Sequence, residues 1–401
     1  MRSLLFALLI FVTAPVSAEQ PDTDAARRGI AAVQAVLRER PDDATLYFYL
    51  ARFQAQAGDR DAAIASLQKV LELGDGFVPA RELGFETLWD DPRFQKLRAE
   101  LEARLPQLDF APIAFELDDT RLVPEGIAYD PASRSFFLGS IAQHKIVRVR
   151  DDMHVSDFAL GLDCVLGIAV DAPRRILYAV STSALTAAGR KPRRNSIVAF
   201  DVDSLRMLRR VDVPEAMQLN DVTVAPGGRV FTTDSASGAV FEILKDGARR
   251  TLVRPDELRG SNGIAPSADG TRLYVAHTTG LAVVDVANGG AKRVANSTRE
   301  TLAAIDGLYQ WQGQLIGVQN TTTPGRVLLI TLTPDGNAIE RVQTLLSHHH
   351  TRLDEPTTGA ITERGFFLLA ATGVGRYNDR GETERPESLP KPTVLRIPLP
   401  R

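Results

Sequence analysis

The sequence predicts an all-β six-bladed β-propeller preceded by a small α-helical domain. Three observations predict it: apolar residues at helical spacing in the first hundred residues, short β-rich runs after about residue 110, and a motif that occurs six times downstream. The chain has 401 residues, 44% of them hydrophobic and 24% charged, which is enough for a large buried core. Its net charge of −3 argues against a nucleic-acid-binding protein, which would normally have a basic excess.

The first residues have the pattern of a secretory signal peptide. Arg2 precedes an apolar run, Leu4 to Val12, and Val16-Ser17-Ala18 forms a cleavage site of small residues. That run is too short to span a bilayer, and no other apolar stretch reaches the roughly 18 residues that a membrane helix needs. We therefore expect residues 1–18 to be removed and the mature protein to be periplasmic or secreted.

Residues 22–105 are predicted to form the helical domain. Apolar residues recur at helical spacing in Leu46-Tyr49-Leu50-Phe53 and in Ala63-Ile64-Leu67-Val70-Leu71, and Gly58-Asp59-Arg60 makes a tight turn between them. This helix–turn–helix resembles a tetratricopeptide repeat. Because one repeat is too short for a free-standing solenoid, we expect it to pack on the next domain, with docking of a protein partner as the alternative.

Residues 110–401 are predicted to form the propeller. In each copy of the motif, Gly or Asp follows the first position, an apolar residue comes next, and an apolar strand follows about nine residues later. The first positions are separated by 41, 54, 42, 44 and 52 residues, which matches six blades of several short strands each. Strands Ile113–Leu117 and Thr393–Pro398 are predicted to pair and close the ring, since an open propeller would leave an exposed edge.

Equivalent positions of a propeller meet around its central axis. Here the first positions of the six copies are Glu125, Leu166, Asn220, Asn262, Asp306 and Thr358. Two carboxylates buried close together are costly unless a cation neutralises them, and carboxylate and amide oxygens suit a hard divalent ion. Calcium is therefore the first candidate cofactor, with Mg²⁺, Mn²⁺ or Zn²⁺ as alternatives. The single cysteine, Cys164, excludes a cysteine-rich zinc site.

Four motifs resemble those of the senescence-marker-protein/gluconolactonase (SGL) propellers: Pro124-Glu125-Gly126, Leu219-Asn220-Asp221, Ser261-Asn262-Gly263 and Ile305-Asp306-Gly307. The resemblance runs from about Phe110 to the C-terminus and leaves out the helices. It implies a lactone hydrolase with a divalent metal in the channel. By that likeness Glu125, Asn262 and Asp306 are the main metal ligands, Asn220 is a further ligand or orients the substrate, and Asp306 is also the candidate catalytic base.

Two positions depart from the family pattern. Gln218 stands where sugar lactonases commonly have an arginine, which makes it a candidate substrate contact and argues against a sugar-acid substrate. Leu166 stands where paraoxonases have a histidine, which argues against a histidine-based mechanism. His277, interpreted as the end of the inner strand of the fourth unit, is a second candidate substrate contact, with a structural histidine as the alternative. The tract His348-His349-His350 is interpreted as a solvated loop.

The sequence therefore predicts a periplasmic or secreted, metal-dependent lactonase that acts on a small-molecule lactone or related ester. The alternative is a non-catalytic propeller that binds a ligand or partner and has a structural calcium ion. A protein partner is expected, if at all, at the helical domain. Neither nucleic acid nor a membrane span is expected.

Overall fold

In the part of the chain that the structure describes, four α-helices precede six β-sheets, so the predicted architecture, a small helical segment before a six-bladed propeller, is confirmed. The computed structural model describes residues 23–186, 193–322, 324–378, 382–383 and 385–400. The predicted signal peptide, residues 1–18, lies outside the described residues.

The helical segment contains α1 (Thr23–Leu37), α2 (Ala44–Gln56), α3 (Arg60–Leu73) and α4 (Pro92–Glu102). The turn between α2 and α3 forms as predicted: Gly58 has a left-handed φ of 83°, and the Asp59 side chain accepts the Ala62 N–H as the cap of α3. Among the described residues, no helix is long and apolar enough to cross a membrane. The likeness to a tetratricopeptide repeat remains a prediction.

The helices have a hydrophobic core of their own and also pack on the propeller. Phe48 contacts Phe77 and Phe85, with ring centroids 5.1 and 5.4 Å apart. The Tyr49 hydroxyl donates to Thr278 O at 2.9 Å. The helical segment therefore packs on the propeller, as expected from its short length.

The strands form six antiparallel blades, with one short parallel strand added to blade 5. Blades 1 to 3 comprise β2 (Pro124–Asp130), β3 (Ser135–Ser140), β4 (Ile146–Arg150) and β5 (Val155–Ala159); β6 (Cys164–Asp171), β7 (Ile176–Thr182), β8 (Asn195–Asp201) and β9 (Met207–Asp212); and β10 (Leu219–Ala225), β11 (Arg229–Asp234), β12 (Ala239–Ile243) and β13 (Arg249–Val253). Blades 4 to 6 comprise β14 (Ile264–Pro266), β15 (Arg272–His277), β16 (Gly280–Asp285) and β17 (Ala291–Arg293); β19 (Ile305–Trp311), β20 (Gln314–Gln319), β21 (Arg326–Leu332) and β22 (Ala338–Leu346), with β18 (Ala295–Asn296) at the edge; and β23 (Gly359–Thr362), β24 (Gly365–Ala371), β25 (Thr393–Ile397) and β1 (Ile113–Glu116).

Blade 6 closes the ring. Its outermost strand, β1, comes from the beginning of the propeller and pairs antiparallel with β25 near the C-terminus, with Ile113 opposite Leu395. The predicted pairing of these two segments is confirmed. Closure removes the free edges that an open propeller would present.

The core lies between the blades. In β15, Leu273 and Val275 pack against blade 3, whereas Tyr274 and Ala276 pack against blade 5. Successive strand residues point to opposite faces, so a strand buried on both sides needs an unbroken apolar run. The innermost strands contact one another around the whole ring, in the order β2, β6, β10, β14, β19 and β23. The beginnings of these six strands therefore surround one axis.

Candidate metal centre

The beginnings of the inner strands are joined to one another around the axis. Thr357 and Thr358, just before β23 in blade 6, donate their hydroxyls to Glu125 O in blade 1, at 2.8 and 2.6 Å. Between blades 2 and 3, a Cβ at Gly167 would lie 2.6 Å from Asp221 Cα. The glycine that follows the first position of several motif copies is thus required because neighbouring blades approach closely there.

Three carboxyl groups are gathered at this axis: Glu125, Asp221 and Asp306, called here the axial carboxylates. Burial, then the charges of Asp306 and Asp221, hold the pKa of Glu125 well above its usual range. Burial raises the pKa of Asp221 to about 7, against hydrogen bonds from the backbone N–H groups of Val222 and Ile264. Burial likewise raises the pKa of Asp306 to about 7. No arginine, lysine or histidine is among the groups that shift these three pKa values.

The donor set fits a hard divalent cation. Glu125 Oε2 is buried and has no hydrogen-bond partner among the described residues. An orphaned carboxylate oxygen beside two further acids costs free energy unless a cation neutralises it. Oxygen ligands of this kind suit calcium, whereas zinc would favour histidine or cysteine. The chemistry of these side chains therefore fits the predicted type of ion.

Two of the predicted amide ligands stand at the same ring of strand ends. Asn262 hydrogen-bonds the Asp306 side chain, which opposes the rise in the pKa of Asp306. Asn220 lies in β10, directly before Asp221, and is almost fully buried. No hydrogen-bond partner of the Asn220 side chain is found in the part of the chain that the structure describes, so its amide is free to contact an ion or a substrate.

The structure also places three groups at the axis that sequence reasoning did not assign to the centre. Asn320, which follows β20, donates its Nδ2–H to Asp306 Oδ2 at 2.6 Å and to Pro356 O at 3.1 Å. The Tyr309 hydroxyl accepts the Gly359 N–H at 2.7 Å, and burial together with the axial carboxylates holds its pKa well above the usual range. Asp221, which the sequence left without a definite role, is the third.

The sequence contains a signal for two of these three groups, Asp221 and Asn320. Asp221 follows a first position directly, and its Oδ2 accepts the Ile264 N–H of the next blade at 3.3 Å, so it both joins blades and adds charge. Asn320 follows the strand that pairs with β19, and Ile305 lies opposite Gln319. This register places residue 320 opposite Ala304, so a predicted hairpin of β19 and β20 would have indicated only that residue 320 lies within two positions of Asp306.

The two predicted substrate contacts, Gln218 and His277, have different surroundings. The Gln218 N–H donates to Asp234 Oδ1 at 2.9 Å, which fixes its backbone and leaves the partly exposed side chain as the candidate. His277 ends β15, the second strand of blade 4, and not the innermost strand as the sequence was interpreted. Burial, then Arg293 and Arg40, lower its pKa to about 4. Its role in substrate binding remains a prediction.

A cavity of about 260 Å³ lies between the helical segment and blades 4 and 5, away from the axial carboxylates. Its lining includes Arg40 and Arg293, which both pair with Asp43, at 3.3 and 3.1 Å. With Asp42, Arg299 and Glu300 the lining has as many arginines as carboxylates, so it has no excess of negative charge for a divalent cation. We therefore place the candidate centre on the axis.

Segments that are not strands flank the strand ends at the axis. Tyr377 and Leu389, from the connection between β24 and β25, pack in the apolar cluster that contains the ring residue Leu166. On the opposite side the Val78 N–H of the helical segment donates to Thr322 O at 2.9 Å, two residues after Asn320. The entrance to the axis is thus bounded by an apolar wall and by the helical segment.

Comparison with known proteins gives a family match. The sequence model of a family described as "SMP-30/Gluconolactonase/LRE-like region" matches residues 123–351, which is more than half of the chain and includes every residue predicted for the site. No curated protein matches the chain.

Solved structures resemble the propeller at low sequence identity. A luciferin-regenerating enzyme is 13% identical, with a TM-score of 0.50, over 72% of this chain and 96% of its own. A streptogramin B lyase is 12% identical, with a TM-score of 0.50, over 66% and 81%. A gluconolactonase from Xanthomonas campestris is 17% identical, with a TM-score of 0.48, over 74% and 99%. At these identities the likeness to the luciferin-regenerating enzyme and the streptogramin B lyase shows the fold alone, and these two names give different activities.

Proposed function

The chain belongs to the SMP-30/gluconolactonase/LRE-like family, and from this premise we propose that it is a periplasmic or secreted, calcium-dependent hydrolase of lactones or related carboxylic esters. One observation supports the metal dependence above the others. Three axial carboxylates are buried together without a basic partner, and Glu125 Oε2 has no hydrogen bond among the described residues. The location rests on the signal-peptide pattern of residues 1–18.

In this proposal Glu125, Asn262 and Asp306 hold the ion, and Asn220 is a further ligand or orients the substrate. A divalent cation bound there supplies Lewis-acid polarisation of the lactone carbonyl and stabilises the developing oxyanion. The free amide of Asn220 is placed to hydrogen-bond the substrate or to complete the ligand set. Tyr309 keeps its proton because its pKa is held well above the usual range, so its hydroxyl is available as a donor.

Hydrolysis also needs a group that takes the proton of the attacking water. Asp306 is the first candidate, because its pKa is raised to about 7 and Asn320 fixes its Oδ2 at 2.6 Å. Ligation of a cation lowers the basicity of a carboxylate, so the two roles of Asp306 compete. Asp221 has a pKa raised to the same value and is the second carboxylate able to accept this proton.

The test is turnover of a panel of lactones by the purified mature chain. The panel should contain sugar lactones and lactones with apolar substituents, because Gln218 replaces the family arginine and Leu166 belongs to an apolar wall. We expect calcium-dependent hydrolysis of at least one lactone. Chelation and Asp306→Ala should each lower kcat/KM by roughly 100-fold or more, the size expected when stabilisation of the oxyanion is lost.

The matched control is Asp246→Ala, which removes an exposed turn aspartate and should leave kcat/KM unchanged. Calcium binding without turnover of any lactone or ester would contradict the hydrolase and favour a ligand-binding propeller with a structural ion. Turnover that survives both chelation and Asp306→Ala would contradict the metal-dependent site.

A further inference from the structure

A second group of metal-ligating side chains lies where the helical segment meets the loop between blades 5 and 6. Glu102 is the last residue of α4, and His348 and His349 follow β22. One ligand atom from each of the three lies within 4.8 Å of the other two. We propose that Glu102, His348 and His349 bind one zinc ion that joins the helical segment to the propeller, a site separate from the axial carboxylates.

The histidine tract is not the solvated loop that the sequence suggested. Only 12% of the His348 side chain is exposed, and its Nε2 lies 3.2 Å from Glu102 Oε1. The Nε2 of His350 donates to Ala111 O at 2.9 Å and so anchors the tract from the other side. His348 and His349 therefore lie beside Glu102 of α4. His350 is instead bound to Ala111, in the segment before β1.

A hydrogen bond at Nδ1 of His349 leaves its other ring nitrogen, Nε2, available as a metal ligand. Ser347 Oγ accepts the Leu108 N–H and donates to Leu108 O, both at 3.1 Å, and lies 2.9 Å from His349 Nδ1. When the single hydroxyl hydrogen is directed at Leu108 O, His349 Nδ1 is the donor to Ser347 Oγ. The lone pair of His349 then resides on Nε2. A ligating histidine typically has its other ring N–H held in this way.

His348 contacts Glu102 through Nε2, the nitrogen proposed to bind zinc. Its Nδ1 is buried and has no hydrogen-bond partner among the described residues. The rings of His348 and His349 lie 4.2 Å apart between centroids, inclined by 34°, so both face the same side of the loop.

The carboxylate is oriented by its own partner. Arg98 Nη2 lies 3.4 Å from Glu102 Oε2, and Arg98 Nε donates to Pro79 O at 3.2 Å. The guanidinium therefore occupies one oxygen of Glu102 and leaves Oε1 directed at the imidazoles. Such hydrogen bonds to a ligating carboxylate are typical of metal sites.

Two imidazole nitrogens and one carboxylate oxygen select zinc over calcium, which takes oxygen ligands. Ligand atoms of a tetrahedral zinc ion are ~3.3 Å apart, close to the 3.2 Å between His348 Nε2 and Glu102 Oε1. The His349 nitrogen needs a small side-chain movement, and water completes the coordination. Because the ligands come from sequence positions 246 residues apart, zinc bound here stabilises the docked arrangement by mass action.

The experiment titrates zinc chloride into the untagged mature chain, with calcium present in excess so that the axial carboxylates are occupied. Zinc content after equilibrium dialysis gives the stoichiometry, and thermal unfolding gives the coupling to stability. We expect one zinc ion per chain and a rise in Tm of about 4 °C or more. Glu102→Gln and His349→Ala should each weaken zinc affinity at least about tenfold and abolish the rise in Tm.

Glu102→Gln keeps the shape of the side chain and a hydrogen-bonding oxygen for His348, so it preserves the fold while removing the charge. The control His154→Ala removes an exposed histidine outside the cluster and should bind zinc as the wild type does. Failure of the wild type to bind zinc at micromolar concentration, or unchanged binding by both cluster variants, would overturn the proposal. Calcium binding should be equal in all of these variants, so the result is independent of the proposed hydrolase.

Discussion

Buried charges have opposite surroundings in two regions of the molecule, the axis of the propeller and its junction with the helical segment. At the axis, Glu125 meets two further acids, and no basic group is among those that shift its pKa. At the junction, Arg326 is almost fully buried, and its guanidinium bonds Glu300 Oε2 at 2.7 Å, Gln319 Oε1 at 2.6 Å and Thr301 O at 3.2 Å. The junction is therefore neutralised by the chain itself, whereas the axis is not.

The presence or absence of a partner of opposite charge distinguishes a buried charge with a structural role from one with a functional role. A buried charge with its partners in place is part of the fold, and removing one partner leaves the other uncompensated. A buried group of like charges instead lowers stability until something from outside binds. Substitutions that remove charge should consequently have opposite effects on the free energy of unfolding in the two regions.

The largest expected effect is at the junction. Arg326→Met should lower the free energy of unfolding by about 3 kcal/mol, because it leaves Glu300 and Gln319 without their partner in a largely buried position. Urea denaturation measures this change. Arg396→Met, which removes an exposed arginine, is the control and should change the free energy of unfolding by less than about 0.5 kcal/mol. Equal, small effects of the two substitutions would contradict a structural role of the buried pair.

A smaller effect of opposite sign is expected at the axis. In the presence of a chelator at neutral pH, Glu125→Gln should leave the free energy of unfolding unchanged or raise it by about 1 kcal/mol, because a carboxyl whose pKa is raised in the folded state costs stability at this pH and glutamine does not. Calcium should raise the Tm of the wild type but not that of the variant. Thermal unfolding with and without calcium measures both.

The matched control for Glu125→Gln is Glu242→Gln. Glu242 is equally buried, but Arg229 and Arg250 bind its two oxygens, at 2.7 and 2.8 Å. This substitution should lower the free energy of unfolding by about 2 kcal/mol, since it weakens two hydrogen bonds between charged groups. If Glu125→Gln destabilised the chelated protein as much as Glu242→Gln does, the contrast between the two regions would be wrong.

The smallest effect concerns the pH dependence of stability at the junction. Burial, then Arg293 and Arg40, lower the pKa of His277 to about 4, below its value in the unfolded chain near 6.5. Between these two pH values the unfolded state binds more protons, so this histidine costs stability as pH falls from 7 to 4.5. As pH falls from 7 to 5.5 this cost reaches about 1.2 kcal/mol, so the wild type should lose about 2 °C of Tm relative to His277→Gln.

Thermal unfolding of both proteins at a series of pH values gives the difference, with His154→Gln, at an exposed site, as the control that should run parallel to the wild type. A constant difference between the wild type and His277→Gln would mean that His277 titrates alike in the folded and unfolded states. Its buried position beside two arginines would then have no electrostatic consequence.

Much of the fold was predictable because the propeller repeats one local pattern. The apolar run in β15 and the Asp269-Gly270 turn before it are visible in any single blade, and six copies set the number of blades. The closing pair, β1 with β25, followed from the need to remove a sheet edge. His277 was assigned to the wrong strand because the inner strand of blade 4, β14, has only three residues.

The candidate site was predictable as far as it follows the repeat. Glu125 and Asp306 occupy equivalent positions, and the pKa of Glu125 responds to the charge of Asp306. Asn320 and Tyr309 do not occupy repeat positions, and their hydrogen bonds to Pro356 O and from the Gly359 N–H join blade 5 to the beginning of blade 6. Such contacts depend on how neighbouring blades are set against each other, which local spacing does not contain.

By itself the sequence determined the order of helices and blades, the equivalent positions at their starts and the acidic character of the axis. These properties are local or periodic, so residue type and spacing are sufficient to specify them. Only the tertiary structure decided that Asp221 joins the axial carboxylates and that His348 meets Glu102, 246 residues away. Contacts of this kind arise from packing between elements that share no period, and burial then sets which of the charges find a partner.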